Sequence, residues 1–213
     1  MTADIGSRLR SGKREGGALR QALALALAFC AWGALALRTW LSMEGGVSLA
    51  EALWTNGRFF TILTNLLVAG SFTLVALGRA PAPRWLTGLM LWIGLVGLVY
   101  HAVLAALWEP EGLVLVADIL VHTVTPLGTF TYWLFFVGKG VLRWGDLRLW
   151  IAWPLIYSIY ALGRGAVDGI YPYPFLDVGE LGLAGVLMNV AALGAAFALA
   201  GALVLALTRR TAR

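Results

Sequence analysis

The chain has 213 residues, 60% of them hydrophobic and only 13% charged, with a mean hydropathy of +0.82 and a formal charge of +5. A soluble domain carries about 45–50% apolar and about 25% charged residues, and a folded chain of this length still leaves roughly a quarter to a third of its surface in solvent, so the excess apolar surface calls for lipid. Disorder, collagen-like repeats and a disulfide scaffold are excluded, because the glycines follow no three-residue period and Cys30 is the only cysteine.

A spanning helix needs about 20 mostly apolar residues, and six stretches approach or exceed that length. A basic arm, 1–17, precedes the first, 18–41, whose Ala/Leu run exceeds the roughly 7–15-residue core of a secretory signal. The Ala-Leu alternation from Ala22 to Ala28 imitates a strand period, but a lone strand cannot satisfy its backbone in lipid. The others cover 59–77, 85–108, 113–137, 147–162 and 181–207. The expected fold is all-α: a single membrane domain, 1–213, built as a six-helix transmembrane bundle.

Charge distribution supplies the orientation. Arg8, Arg10, Lys13, Arg14 and Arg20 fall on one side with Arg79 and Arg84, Lys139, Arg143 and Arg148, and Arg209, Arg210 and Arg213. Only Arg38, Arg58 and Arg164 lie opposite, together with Glu44, Glu51, Glu109, Glu111, Asp168, Asp177 and Glu180. An odd number of crossings would scramble this separation, so both termini are expected in the cytoplasm. The positive charge thus encodes topology, and no nucleic-acid partner is expected. Trp40, Trp54 and Trp108 on one side, and Trp85, Trp144 and Trp150 on the other, sit near span ends as interfacial tryptophans do.

An ionisable side chain in mid-membrane costs at least about 2.5–3.5 kcal/mol on insertion scales, so His101, Asp118 and His122 each need a reason. Polar companions are Thr61, Thr64, Asn65, Thr123, Thr125 and Asn189. At ~1.5 Å of rise per residue, all of the key groups fall roughly 3–13 Å below the outer ends of four different helices. Asp118 and His122 are four residues apart on one helical face, so the carboxylate can hold one imidazole nitrogen and leave the other free. Thr61, Thr64 and Asn65 form a second polar stripe, and Pro126 removes a donor to the His122 carbonyl and predicts a kink beside it. Gly94, Gly97, Gly194 and Gly201 are read as sites of close helix approach. A hydroxyl, an imidazole and a carboxylate are the parts of an activated nucleophile. The same residues also suit a structural bridge, a metal pair with His101 as third ligand, or a proton relay; the residues alone leave these open.

Three runs carry a family resemblance: Arg58-Phe-Phe-Thr61-Ile-Leu-Thr64-Asn65-Leu, His122-Thr-Val-Thr-Pro126 and Tyr171-Pro-Tyr-Pro-Phe-Leu-Asp177. The chain from the second to the sixth span resembles the androgen-induced and androgen-dependent TFPI-regulating membrane proteins, and more closely their bacterial six-span relatives. The resemblance implies an integral-membrane hydrolase that cleaves fatty acid esters of hydroxy fatty acids or similar acyl esters with a threonine nucleophile and a histidine. It places the protein in a bacterial inner (cytoplasmic) membrane. It makes Thr61, which follows a basic and two apolar residues, the nucleophile, with Thr64 in reserve, and His122 the base. The His-Thr-Pro motif is one residue shorter here than in the family, and Asp118 stands where the animal members carry an amide.

On that basis Asn65 or Asn189 is expected to donate to an oxyanion, Arg58 or Arg164 to bind a substrate carboxylate, and His101 to line the substrate site. An Arg164–Asp168 pair four residues apart is an equally open reading. The segment holding Pro172 and Pro174 is expected to cap the site. No metal or cofactor is expected, and the expected partners are lipids and an acyl-ester substrate. The alternative is a proton-coupled transporter or lipid-binding protein using Asp118 and His122, although no internal repeat of the kind common in transporters is visible.

Overall fold

The computed structural model describes residues 2–79, 81–107 and 109–210, with the backbone alone for 2–16, 107 and 210. The side chains of Arg8, Arg10, Lys13, Arg14 and Arg210, together with Trp108 and Arg213, therefore lie outside the described residues. Among the described residues all regular structure is helical. The helices are α1 (Thr2–Glu44), α2 (Leu49–Asn56), α3 (Phe60–Ala76), α4 (Pro83–Val99), α5 (Gly112–Ile119), α6 (Thr125–Phe136), α7 (Leu147–Asp168) and α8 (Val178–Arg210). Four stretches, Gly17–Glu44, Pro83–Leu104, Gly112–Phe136 and Val178–Arg209, are long and apolar enough to cross a membrane. The α2–α3 pair makes a fifth if its 101° bend is one broken span. The 22 residues of α7 carry Arg148, Arg164, Asp168 and several Trp and Tyr side chains, and α7 is not among these stretches.

The expected loop before the second span is in fact a helix. Ser48 caps α2: its hydroxyl accepts from the Glu51 amide while the Glu51 carboxylate accepts from the Ser48 amide at 2.8 Å. This reciprocal cap satisfies two orphan donors of the first turn. At the break that follows, carbonyls need partners away from water. The Tyr160 hydroxyl donates to Gly57 O at 2.9 Å and the Tyr157 hydroxyl to Arg58 O at 2.8 Å, both from α7.

Small residues bring α1 onto α3. Ala24, Ala28 and Ala31 recur along one helical face and are at most 5% exposed, which lets the backbones approach closely. Phe29, Leu25 and Leu199 stay exposed on the outer surface, where lipid is their natural solvent. Trp150, near the start of α7, faces its neighbours and not the surroundings. It is fully buried, its indole donates to Arg84 O, and its own carbonyl accepts from Trp92. Of the four glycines read as close-approach sites, Gly201 faces Leu147 and Trp150 within 3 Å of where a Cβ would stand, and Gly97 is nearly as tight, with its nearest neighbour at 3.0 Å. Gly94 and Gly194 have room.

Two spans lose regular α geometry at the same depth. After α4 the helix widens through a π turn, Tyr100–Leu104, in which the Ala105 amide bonds to Tyr100 O. Between α5 and α6 a second π turn, Leu120–Val124, ends with the Thr125 amide on Leu120 O. Pro126 follows at the start of α6, so the expected distortion beside His122 is a one-residue expansion of the helix. Such bulges re-aim side chains and concentrate at functional sites.

Candidate active site

The polar residues converge at one end of the bundle, where α1, α4 and α7 finish and α3, α5 and α8 begin. There His122 Nδ1 stands 3.1 Å from Asp118 Oδ1, and the Tyr100 hydroxyl donates to Asp118 Oδ2. The Tyr100 ring stacks on the imidazole with centroids 3.9 Å apart and planes 7° from parallel. Asp118 is 6% exposed, so both of its oxygens are spent on these two partners in a dry setting. A carboxylate at Nδ1 fixes the tautomer that leaves Nε2 as an acceptor.

Thr61 lies in the first turn of α3. Its helix terminus is held by Tyr173, whose hydroxyl accepts from the Phe60 amide at 3.1 Å. Burial pushes the Tyr173 phenol above the usual tyrosine value, and contacts with Thr61 and the Phe60 amide work against that rise. Thr61 and His122 face the same two spaces. One is an apolar chamber of about 60 Å³ lined by Phe60, Val99, Leu193 and Phe197; the other is a cavity of about 220 Å³ lined also by Arg38, Asp118 and Pro172. Both spaces share Thr61, Tyr100, Leu104, His122 and Tyr173, so the hydroxyl and the imidazole stand at the junction. Among the described residues no hydrogen bond joins Thr61 to His122.

The other expected site residues have different duties. Thr64 is fully buried beneath this floor and accepts from the Trp153 indole at 3.1 Å. Asn65 spends both amide hydrogens on carbonyls, Thr61 O at 2.9 Å and Val121 O at 3.2 Å, and its oxygen accepts from the Thr125 hydroxyl at 2.6 Å. It therefore bolts the turn carrying Thr61 to the π turn carrying His122. Asn189 donates to Phe175 O and anchors the loop above. His101 is exposed and bonds Thr123 at 3.0 Å, away from both spaces.

The arginines divide in a way spacing does not reveal. Arg58 grips Asp168 with two nitrogens, at 3.0 and 2.6 Å, and also bonds Ile170 O. The guanidinium holds the Asp168 carboxyl down to about 2. Asp168 thus pairs across the fold with Arg58, while Arg164 stacks on the Trp54 ring at 3.7 Å and donates to the Tyr160 hydroxyl. The Arg58–Asp168 latch closes the segment 169–177 over the cavity as a cap. Tyr173 hangs beneath it, Pro172 and Pro174 form part of its underside, and Leu176 is buried.

Two site residues escaped the sequence reading. Tyr100 adjoins a histidine that drew attention instead, and Arg38 counted only as an exception to the charge asymmetry. An arginine within an apolar run is a signal of its own. No group of three metal-ligating side chains occurs among the described residues. No protein-family model matches this chain, and no curated protein or solved structure matches it.

Proposed function

We propose that this protein is an intramembrane carboxylic-ester hydrolase with Thr61 as nucleophile, His122 as general base and acid, and Asp118 as the group that orients the imidazole. The observation that carries this reading is the meeting of Thr61 and His122 at the junction of two cavities, with Asp118 on the far nitrogen of the ring. A threonine hydroxyl is inert until a base takes its proton, and the base needs a fixed tautomer. An apolar chamber meeting a cavity that also holds Arg38, Asp118 and His122 suits an acyl ester that resides in the bilayer.

In the proposed reaction the Thr61 oxygen attacks the ester carbonyl while its proton passes to His122 Nε2. The tetrahedral intermediate collapses, the C–O bond breaks, and the alcohol leaves with the proton from His122. Water, deprotonated by His122, then attacks the acyl-threonine; the acid departs and Thr61 recovers its proton. Asn65 and Asn189 are committed elsewhere, as are the Phe60, Ile62 and Leu63 amides at the start of α3, and the Tyr173 hydroxyl at that terminus is the proposed oxyanion donor. A helix N-terminus favours negative charge at that place.

The six-span arrangement with both termini cytoplasmic belongs to the same proposal, supported by the segregation of basic residues. So do kinship with the androgen-induced membrane proteins, location in a bacterial inner membrane, and a substrate class of fatty acid esters of hydroxy fatty acids, which rest on the motif resemblance. The Tyr100–Asp118–His122 chain also suits a proton relay in a transporter. The test is hydrolysis of a p-nitrophenyl acyl ester by the purified full chain in nanodiscs. Loss of turnover in both T61A and H122A, with T64S active, supports the reading. Turnover unchanged in T61A refutes the nucleophile, and no turnover together with proton-coupled uptake would favour transport.

A further inference from the structure

Among the described residues the Arg38 guanidinium has no ion-pair partner. It lies on α1 six residues before the helix ends at Glu44, roughly 9 Å along the axis, and it lines the 220 Å³ cavity together with Thr61, Asp118 and His122. No hydrogen bond engages its guanidinium among the described residues; its carbonyl accepts from the Ser42 hydroxyl at 3.0 Å. Asp118, the acid in the same wall, has both oxygens committed to His122 and Tyr100. Arg58 is paired with Asp168, while Arg164, stacked on Trp54 and bonded to Tyr160 with its Nε and Nη2 left without partners, lines neither space. A charge inside an apolar bundle is costly and is retained where it meets a partner or a substrate.

We infer that Arg38 is the recognition residue for a carboxylate on the substrate, so that the site takes single-headed anionic amphiphiles in preference to neutral esters. The head pairs with the Arg38 guanidinium in the polar cavity, and the apolar chain runs past Thr61 and His122 into the chamber of Phe60, Val99, Leu193 and Phe197. A planar guanidinium matches a carboxylate with two parallel hydrogen bonds. A singly charged carboxylate suits this wall better than a phosphate monoester, because among the described residues Arg38 is the one lysine or arginine lining it and Asp118 stands in the same wall. The inference takes the place of the ester from the hydrolase reading and the place of the charge from Arg38 itself. An ester carbonyl at the junction, with its alcohol half turned away from the chamber, would then put a free carboxylate on that half within reach of α1.

The test measures binding, which does not depend on turnover. A fluorescent fatty acid is displaced from the full chain in nanodiscs of neutral lipid by oleate, methyl oleate or lysophosphatidate. Wild type is expected to bind oleate at least about tenfold more tightly than methyl oleate, equivalent to about 1.4 kcal/mol. In R38Q that preference collapses to less than about threefold while methyl oleate still binds; R38K retains part of it. Equal binding of oleate and methyl oleate by wild type overturns the inference whatever the variants do. So does a preference undiminished in R38Q, and tighter binding of lysophosphatidate than of oleate would replace the carboxylate with a phosphate. T61A, which abolishes turnover in the hydrolase reading, leaves the oleate preference intact. Failure of either idea is thus visible without the other.

Discussion

Gly97 sits where α4 touches the π turn of His122, and replacing it with alanine probes whether that contact positions the site. A Cβ there would stand 3.0 Å from His122 O and 3.1 and 3.2 Å from Pro126 Cβ and Cγ, against backbone and a rigid ring that cannot swing aside. Inserting a methyl into so close a contact costs about 1–3 kcal/mol, while alanine in a helix interior recovers about 0.5–1 kcal/mol relative to glycine. Gly94, one turn earlier, has nothing within 4 Å and shares only the gain. The difference between G97A and G94A is therefore the packing cost alone. At about 2–4 °C per kcal/mol for a chain of this size, G97A melts roughly 2–12 °C below G94A. Tyr100 follows Gly97 by three residues and stacks on His122, so displacement of α4 also lowers esterase turnover in G97A and spares it in G94A. Thermal unfolding of both variants in one detergent, with turnover measured at 20 °C below the lower midpoint, makes the check. A G97A protein as stable and as active as G94A would refute the reasoning.

Further outcomes follow from the same contacts. Replacing Asp118 with asparagine puts an amide where both His122 Nδ1–H and the Tyr100 hydroxyl need an acceptor; turnover should fall about 1,000- to 10,000-fold with KM little changed, and steady-state kinetics on the folded variant decides it. Asn65→Leu removes the bonds to Thr61 O, Val121 O and the Thr125 hydroxyl, leaving the last two only their 3.3 Å bond to each other, and should cost about 1–3 kcal/mol of stability, read as a lower midpoint accompanied by lost activity. Asp168→Asn opens the cap latch, so limited proteolysis within 169–177 should accelerate while the rest of the chain stays protected. Because Arg58 holds Asp168 below the ordinary carboxylate range, the latch contributes fully at neutral pH and is lost only as pH falls towards about 2. Cap proteolysis by an acid-tolerant protease should therefore be flat from pH 7 to pH 5, and a rise across that window would contradict the pairing.

Length and hydropathy alone decide which segments prefer lipid, so four of the six expected spans coincide with helices long and apolar enough to cross a membrane, and the bounds of α5–α6 and α8 fall close to those expected. α2 was not sought, since eight residues cannot span, yet Ser48 and Glu51 carry the signature of a helix start. The i, i+4 spacing exposed the Asp118–His122 pair because both partners lie on one helix. What stayed hidden depends on contacts between distant segments. Asn65 and Asn189 look like spare donors until Val121 O and Phe175 O come to meet them. Arg58 finds Asp168 more than a hundred residues away, which removes one of the two arginines expected to bind an anion and leaves the i, i+4 pairing of Arg164 with Asp168 unmade. His101 and His122 are equally conspicuous in the chain, and only the phase of the two π turns separates them. One ring enters the cavity wall, and the other turns outward to Thr123.

The central claim is that the Thr61 oxygen becomes acylated, and trapping that bond tests it most directly. The purified chain is treated with a long-chain alkyl fluorophosphonate, digested, and mapped by tandem mass spectrometry. The account predicts one adduct on the Thr61 hydroxyl, formed slowly or not at all in H122A and unaffected by T64S. An adduct on Thr64, Thr123 or any other side chain, or labelling of Thr61 that ignores the loss of His122, would contradict it.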